Sequence, residues 1–362
     1  MPRLFIGLMS GTSLDGIDAV AAAFDDGPQL LHSHYQAFEP PLREALLALQ
    51  APGSDEIHRA AIAANQLAHA YASAVRLLLN HASLEARDIE AIGCHGQTIR
   101  HRPDAGYTTQ LVNAALLAEL SGITVINDFR SRDIAAGGQG APLVPAFHHQ
   151  MFHAPAEHRV IVNIGGIANI TNLPPTSPVT GFDCGPGNTL MDAWINAHLG
   201  HTYDENGAWA AGGSLCSHVY KQLIKDKFFL QMPPKSTGRD HFHLDWARRA
   251  LIGTETPQDV QATLLELTAQ GIAQAIDKYC SGVQAVFVCG GGAHNPTLMT
   301  RLTLLLPGRR VANTAALGVS ADWVEALAFA WLARQTLLRQ PGNVPTVTGA
   351  KGARVLGAIY PA

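Results

Sequence analysis

Four short loops carry residue types that chemistry requires. Ser10-Gly11-Thr12-Ser13-Leu14-Asp15-Gly16 sets glycines, hydroxyls and a carboxylate between two apolar runs. Its glycines permit positive φ and let backbone N–H groups converge on an anion. Thr12 and Ser13 add donors, and Asp15 can meet magnesium through water, because Mg²⁺ keeps several waters. The same residues would also make an ordinary hairpin turn whose hydroxyls bond their own backbone. Asn163-Ile164-Gly165-Gly166-Ile167-Ala168-Asn169 repeats the order of strand end, glycine pair and strand start. Two such hairpins would clamp a nucleoside triphosphate from both sides, whereas either alone is weak evidence. Cys289-Gly290-Gly291-Gly292-Ala293-His294-Asn295 follows a short apolar run. A flat ring such as adenine can lie on its bare backbone, and Asn295 can cap the next helix. In Phe182-Asp183-Cys184-Gly185-Pro186-Gly187-Asn188, Asp183 stands at a predicted strand end before a rigid turn. A carboxylate fixed there can take a proton from an attacking hydroxyl or water; it can also cap the turn or the helix that follows.

Histidine is abundant, at 17 residues. His149 and His153 have the spacing that holds a metal on one helix face, but only Gln150, Met151 and Phe152 lie between them, so a half-buried helix is the better reading and no metal ligand is assigned. His32 with His34, and His241 with His243, have strand spacing and no cysteine nearby.

The elements that must position these loops follow from hydrophobic periodicity. Leu4–Met9, Ile17–Phe24 and Leu30–Phe38 read as strands close enough in sequence to pair only antiparallel. Helices follow at Pro41–Gln50 and Ser54–His81, the latter with Ser54 as its N-cap. Then come a strand at Ala91–Cys94, a helix near Asn113–Leu120 and a strand at Thr124–Ile126. After the glycine-rich crossing Arg130–Pro142 the pattern restarts. It gives strands at Val160–Ile164 and Ile167–Leu173, a third ending at Phe182, and a helix at Asn188–Leu199. Gly200–Asp245 is polar with weak periodicity. Gln258–Tyr279 is a long helix, Val286–Val288 a short strand and Ala321–Leu338 an apolar late helix. The order of strand, glycine turn, strand, strand and helices thus occurs twice, which predicts two similar α/β lobes with ligand loops at a cleft between them.

Composition narrows the function classes. The chain has 362 residues, 47% apolar and 15% charged, with net charge −4. That is globular, and long enough for two domains. Lys and Arg are scattered, with no basic stripe to track a nucleic acid. No apolar run approaches the roughly 18 residues of a membrane span. The start, Met1-Pro2-Arg3-Leu4-Phe5-Ile6-Gly7, reads as a first strand, not a signal peptide. Five cysteines, none at CxxC spacing, argue against disulfides and structural zinc and for a reducing cytoplasm.

In this order the loops resemble the anhydro-N-acetylmuramic acid kinases, within the superfamily of sugar kinases, heat-shock ATPases and actin. The resemblance rests on Gly7–Gly16, His95-Gly96-Gln97-Thr98, Asn127-Asp128-Phe129-Arg130, Ala136–Pro145, Asn163–Asn169, Phe182–Asn188, Gly290–Asn295 and Val347-Thr348-Gly349-Ala350. It implies an α/β, two-lobed actin-like ATPase fold of duplicated ribonuclease-H-like domains. The first lobe would be 1–130, completed by 340–362, and the second 131–339. It also implies a kinase that opens the 1,6-anhydro bridge with water and phosphorylates O6. Asp183 would be the general base, with Gly11, Thr12, Ser13, Leu14, Asp15, Gly16, Ile17, Asp18, Gly165, Gly166, Asn169, Gly290, Gly291, Gly292 and Asn295 around ATP, and Mg²⁺ as its counter-ion. Arg130 would pair with the lactyl carboxylate and Glu325 with a sugar hydroxyl or the water; an interdomain ion pair and helix-surface charge are the plainer readings of those two. A homodimer is expected from the same resemblance. Rival readings on this architecture are a kinase of another sugar, a non-catalytic nucleotide switch, and a metal-dependent relative using His149 and His153.

Overall fold

The computed structural model describes residues 3–11, 14–25, 27–238 and 241–362. Its strands, in chain order, are β1 (Leu4–Met9), β2 (Gly16–Ala23), β3 (Gln29–Ala37), β4 (Ile89–Cys94), β5 (Gln97–Arg102), β6 (Tyr107–Leu111) and β7 (Val125–Asn127). They continue with β8 (Arg159–Ile164), β9 (Ile167–Leu173), β10 (Thr180–Pro186), β11 (Ala285–Cys289), β12 (Arg310–Asn313) and β13 (Ala358–Tyr360). The chain divides into two compact units, Met1–Met151 with Trp323–Ala362, and Phe152–Asp322.

In the first unit the sheet order is β13-β7-β4-β1-β2-β3. β1 is antiparallel to β2 and parallel to β4, and β2 is antiparallel to β3. Every residue of β1 is buried, as its unbroken apolar run requires of a central strand. Helix Glu56–Ala82 sets Leu67, Tyr71, Val75 and Leu78 into this core. Its N-cap is Asp55 in the left-handed region, without a side-chain cap bond, and not Ser54. Helix Val324–Leu337 is buried on nearly all sides. It lies so close to β1 and β4 that a Cβ on Gly7 would stand 1.8 Å from the Ala326 carbonyl oxygen, and one on Gly93 2.0 Å from that of Phe329. Glycine inside these strands is therefore a requirement of close backbone approach. β5 and β6 form a hairpin that hydrophobic alternation did not mark.

In the second unit the order is β10-β9-β8-β11-β12. β8 is antiparallel to β9 and parallel to β11, β9 is antiparallel to β10, and β11 is parallel to β12. Counting only the strands of each sheet, both run third, second, first, fourth, fifth with the same strand directions, and the first adds β13 as a sixth strand, antiparallel to β7. Each unit is thus an α/β fold on the same ribonuclease-H-like sheet topology, so the duplication expected from the sequence is present. Helix Pro257–Tyr279 covers the second sheet with Leu264, Leu267 and Ile272 buried. Its start is fixed by Thr256, whose side chain accepts from the Asp259 N–H, and by Pro257 in the first turn. The polar stretch after Leu199 folds into short helices at Ala208–Ala211, Ser217–Leu223, Lys227–Leu230 and Leu244–Arg248. Helix Val144–Phe152 ends before His153, so His149 and His153 do not share one helix face.

Candidate functional site

In the second unit, Asp183 is not at a strand end. β10 continues to Pro186, with a register shift between Asp183 and Gly185. A bulge of this kind re-aims a side chain, and Gly185 supplies a φ of 144°. Asp183 lies opposite Asn169, which lies opposite Asn163, so the three side chains form one row on one face of the sheet. The Asn163 and Asn169 Oδ1 atoms are buried without a hydrogen-bond partner among the described residues.

Asp183 caps neither the turn nor helix Thr189–Leu199. Its backbone N–H donates to the Lys235 carbonyl (3.1 Å), and its Oδ2 accepts from the Thr237 N–H (2.8 Å). The residue keeps some accessible surface, but protein crowds its carboxyl. Burial pushes that carboxyl up to about 7, against the opposing pull of the Thr237 N–H and the Lys235 charge. A carboxylate so poised can hold or release a proton near neutral pH, the condition for general base work. Beside it, burial first, and then the Asp183 charge, push the Cys184 thiol well above its ordinary range.

The glycine loops of this unit pack against that row. The Gly165 carbonyl accepts from the Asn188 N–H (2.8 Å), and the Gly166 carbonyl from the N–H groups of Gly187 (2.9 Å) and Thr189 (3.1 Å). A Cβ on Gly187 would stand 2.3 Å from the Gly165 oxygen. Gly290 has φ 77°, and a Cβ there would meet Asn163 Oδ1 at 2.4 Å; one on Gly292 would meet the Ile164 side chain. Gly291 lies next to Asn188 Nδ2. Asn295 caps helix Pro296–Leu305, accepting from the Leu298 N–H at 2.9 Å.

In the first unit, Thr12 and Ser13 lie outside the described residues. The Gly11 carbonyl accepts from the Leu14 N–H (3.3 Å) and from Gln97 Nε2 (3.1 Å). Leu14 is buried with φ 57°, and Ile17 is wholly buried, so only the backbone of these two can face a ligand. Asp15 is exposed and accepts from the Gly16 N–H at 3.0 Å. A Cβ on Gly16 would collide with the Gln36 carbonyl at 2.5 Å, and Asp18 is partly exposed on β2.

Arg130 directs Nε and Nη2 to His95 Nε2 (3.2 and 2.9 Å) and Nη1 to the Gly140 carbonyl (2.8 Å). A ring nitrogen that accepts from a guanidinium must be unprotonated, so His95 is neutral with its proton assigned to Nδ1. Burial, and then Arg130, push His95 well below its ordinary value, in agreement. Burial pushes Arg130 itself down to about 10, with Glu325 and Asp133 favouring its charge. Arg130 and Glu325 thus share one electrostatic environment. Asp133 is buried. It holds the glycine-rich crossing and the C-terminal segment together by accepting from the Gly140 N–H (2.8 Å), Asn343 Nδ2 (2.6 Å) and Thr348 Oγ1 (2.8 Å).

Sequence reasoning gave no role to His95, Asp133, Lys235 or Thr237. His95, in His95-Gly96-Gln97-Thr98, had a motif to mark it, and Asp133 lies beside the glycine run whose backbone it binds. Lys235 and Thr237 lie in the polar stretch without periodicity, where nothing marked them.

A family model described as anhydro-N-acetylmuramic acid kinase matches residues 3–362. A protein of that name from Nitrosomonas europaea is 58% identical over 362 residues, covering 99% of each chain. One from Thiobacillus denitrificans is 57% identical over 363 residues, covering 99% of this chain and 97% of the relative. One from Chromobacterium violaceum is 54% identical over 366 residues, covering 100% of both.

Proposed function

We propose, from the premise that this chain belongs to the anhydro-N-acetylmuramic acid kinase family, that Asp183 is the general base of the family's reaction here. The protein is an ATP-dependent sugar kinase of cell-wall recycling. It opens the 1,6-anhydro bridge of anhydro-N-acetylmuramic acid with water and phosphorylates O6, giving N-acetylmuramic acid 6-phosphate and ADP.

The observation that carries the base assignment is the buried carboxylate held by the Thr237 N–H at 2.8 Å, with a proton affinity raised to about 7. The water oxygen bonds to the anomeric carbon while its proton passes to Asp183. The bond from that carbon to O6 breaks, and O6 takes the γ-phosphoryl group. General base catalysis contributes about 10²–10⁴-fold; the rest is positioning and charge stabilisation.

Arg130 is the proposed partner of the lactyl carboxylate. Its fork toward His95 and Gly140 fixes the guanidinium plane, which is what bidentate pairing requires. Glu325 is the proposed acceptor from a sugar hydroxyl. The nucleotide contacts proposed are Gly11, Thr12, Ser13, the backbone of Leu14 and Ile17, Asp15, Gly16 and Asp18, and separately Gly165, Gly166, Asn169, Gly290, Gly291, Gly292 and Asn295.

Among the described residues no three His, Cys, Asp or Glu side chains gather as metal ligands. The exposed Asp15 carboxylate would suit a Mg²⁺ held otherwise by phosphate oxygens and water, since that ion takes few protein ligands. When bound, the ion supplies charge neutralisation on the phosphates. A cytoplasmic setting is supported by the use of ATP and by free cysteines, and a homodimer by the family resemblance alone.

The test is an ADP-release assay with 1,6-anhydro-N-acetylmuramic acid in ¹⁸O-water, with mass spectrometry of the sugar. The expected product is heavier by one phosphoryl group and one labelled water. Faster phosphorylation of N-acetylmuramic acid itself would overturn the reading in favour of a kinase for another sugar.

A further inference from the structure

Lys235 is a buried lysine, 7% exposed. Its ammonium donates to the Phe228 carbonyl at 3.0 Å, and no carboxylate forms an ion pair with it among the described residues. It lies 4.4 Å from the centre of the Phe228 ring and 5.9 Å from that of Phe182. Ring faces and one carbonyl are modest recompense for a desolvated cation, and burial accordingly lowers the proton affinity of Lys235. A methionine or leucine would fill the same space without that penalty, so filling space does not explain the charge.

Its surroundings do. Phe182, one of the two rings, directly precedes Asp183 in the chain. The Lys235 carbonyl accepts the Asp183 N–H, and two residues further on the Thr237 N–H holds Asp183 Oδ2. The segment anchored by Lys235 therefore grips both the backbone and the carboxylate of Asp183, and the ammonium acts electrostatically on that carboxylate. The other ionisable groups that face this pair are Cys184, Lys278 and, through Cys184, Cys280. Burial keeps the two thiols neutral, so among these groups Lys235 and Lys278 carry the positive charge.

We propose that Lys235 is a positioning residue for Asp183: its buried ammonium and its backbone hold the carboxylate ionised and aimed for proton abstraction. This rests on the reading of Asp183 as the base. An ammonium nearby favours the charged carboxylate, so removing it displaces the acid limb of the rate profile to higher pH.

The experiment is the pH dependence of kcat/KM for Lys235→Gln, Lys235→Arg and Asp183→Asn with the anhydro sugar. Lys235→Gln can keep the bond to the Phe228 carbonyl while losing the charge. It is expected to lose about tenfold at pH 7, to recover as pH rises, and to show its acid limb above that of the wild type. Lys235→Arg is expected to leave the limb in place. If Lys235→Gln does not fold, Lys235→Met, which fills the aromatic slot without a polar end, reads the same limb. An unmoved limb with a uniform loss at every pH would overturn the proposal and leave Lys235 a packing residue. Turnover retained by Asp183→Asn would instead overturn the base assignment and the proposal with it.

Discussion

Beside the sheet of the first unit protein crowds the cation Arg130, and beside that of the second the carboxylate Asp183; each unit also buries the opposite charge, Asp133 in the first and Lys235 in the second. In the first, Arg130 forks onto a neutral His95, with Glu325 and Asp133 favouring its charge. In the second, Asp183 sits in a row with two asparagines, accepts from a backbone N–H and is raised toward neutrality by burial. The sheets have one topology, so topology does not separate these roles. The difference lies in what each unit supplies around the charged group. Arg130 gets acceptors and acidic neighbours, which keep a cation charged and fixed for binding. Asp183 gets only partial compensation, which leaves its proton affinity where chemistry near pH 7 can use it.

The largest test of this contrast is Asp183→Asn. It is isosteric, keeps the acceptor for the Thr237 N–H, and is expected to lower kcat by about 10³-fold while ATP affinity stays within about twofold. ADP release and calorimetric nucleotide titration read the two. Unchanged turnover would remove the second unit's carboxylate from the mechanism.

Next in size is Arg130→Lys, which keeps the charge and loses the planar fork. It is expected to raise KM for the sugar by about ten- to a hundredfold, with kcat much less affected and the acid limb unmoved. A fall in kcat with unchanged KM would contradict a binding role for the first unit's cation.

Gly7→Ala and Gly187→Ala probe the close packing that positions each site. Each should cost about 1–3 kcal/mol in thermal or denaturant unfolding, because the added carbon meets a backbone oxygen that cannot swing away. Wild-type stability in either variant would mean that the backbone there yields easily.

The smallest effect is in stability against pH, where the units should respond with opposite sign. His95 and His148 are held neutral by burial, His148 near pKa 3, below the unfolded value of about 6.5. Their contribution is complete above about pH 6.5 and is lost as pH falls below it. Asp183 has a folded value near 7, above the unfolded value of about 3.9. It therefore favours the folded state at low pH and loses that advantage as pH rises from about 4 to about 7. Hydrogen exchange, corrected for its intrinsic rate, should show peptides of β4 losing protection and peptides of β10 gaining it between pH 7.5 and 5.5. Movement in the same direction in both units would break the contrast.

Much of this architecture was legible in the sequence. An unbroken apolar run marked β1 to the residue, the restart after Gly165-Gly166 marked β9 over Ile167–Leu173, and the long helix at Glu56–Ala82 showed its period. Asp183 and the glycine loops stood out because carboxylates and glycine runs at apolar boundaries are uncommon without a reason, whereas Arg130 and Glu325 entered only through the family resemblance. Signals weaken where an element depends on distant partners. The end of β10 looked like a turn, because Gly185 and Pro186 are turn residues, yet pairing with β9 carries the strand through them. Ser54 looked like a cap, but the chain enters that helix through a left-handed Asp55. Lys235 and Thr237 reach Asp183 across more than 50 residues of chain, which local periodicity does not register.

The account turns on the carboxylate of the second unit, and the pH dependence of kcat/KM tests it most directly. With the anhydro sugar and saturating ATP, the rate should fall about tenfold per unit below an apparent pKa near 7, and the residual rate of Asp183→Asn should lack that limb. A wild-type profile flat from pH 8 to pH 5, or the same limb surviving in Asp183→Asn, would show that some other group takes the proton.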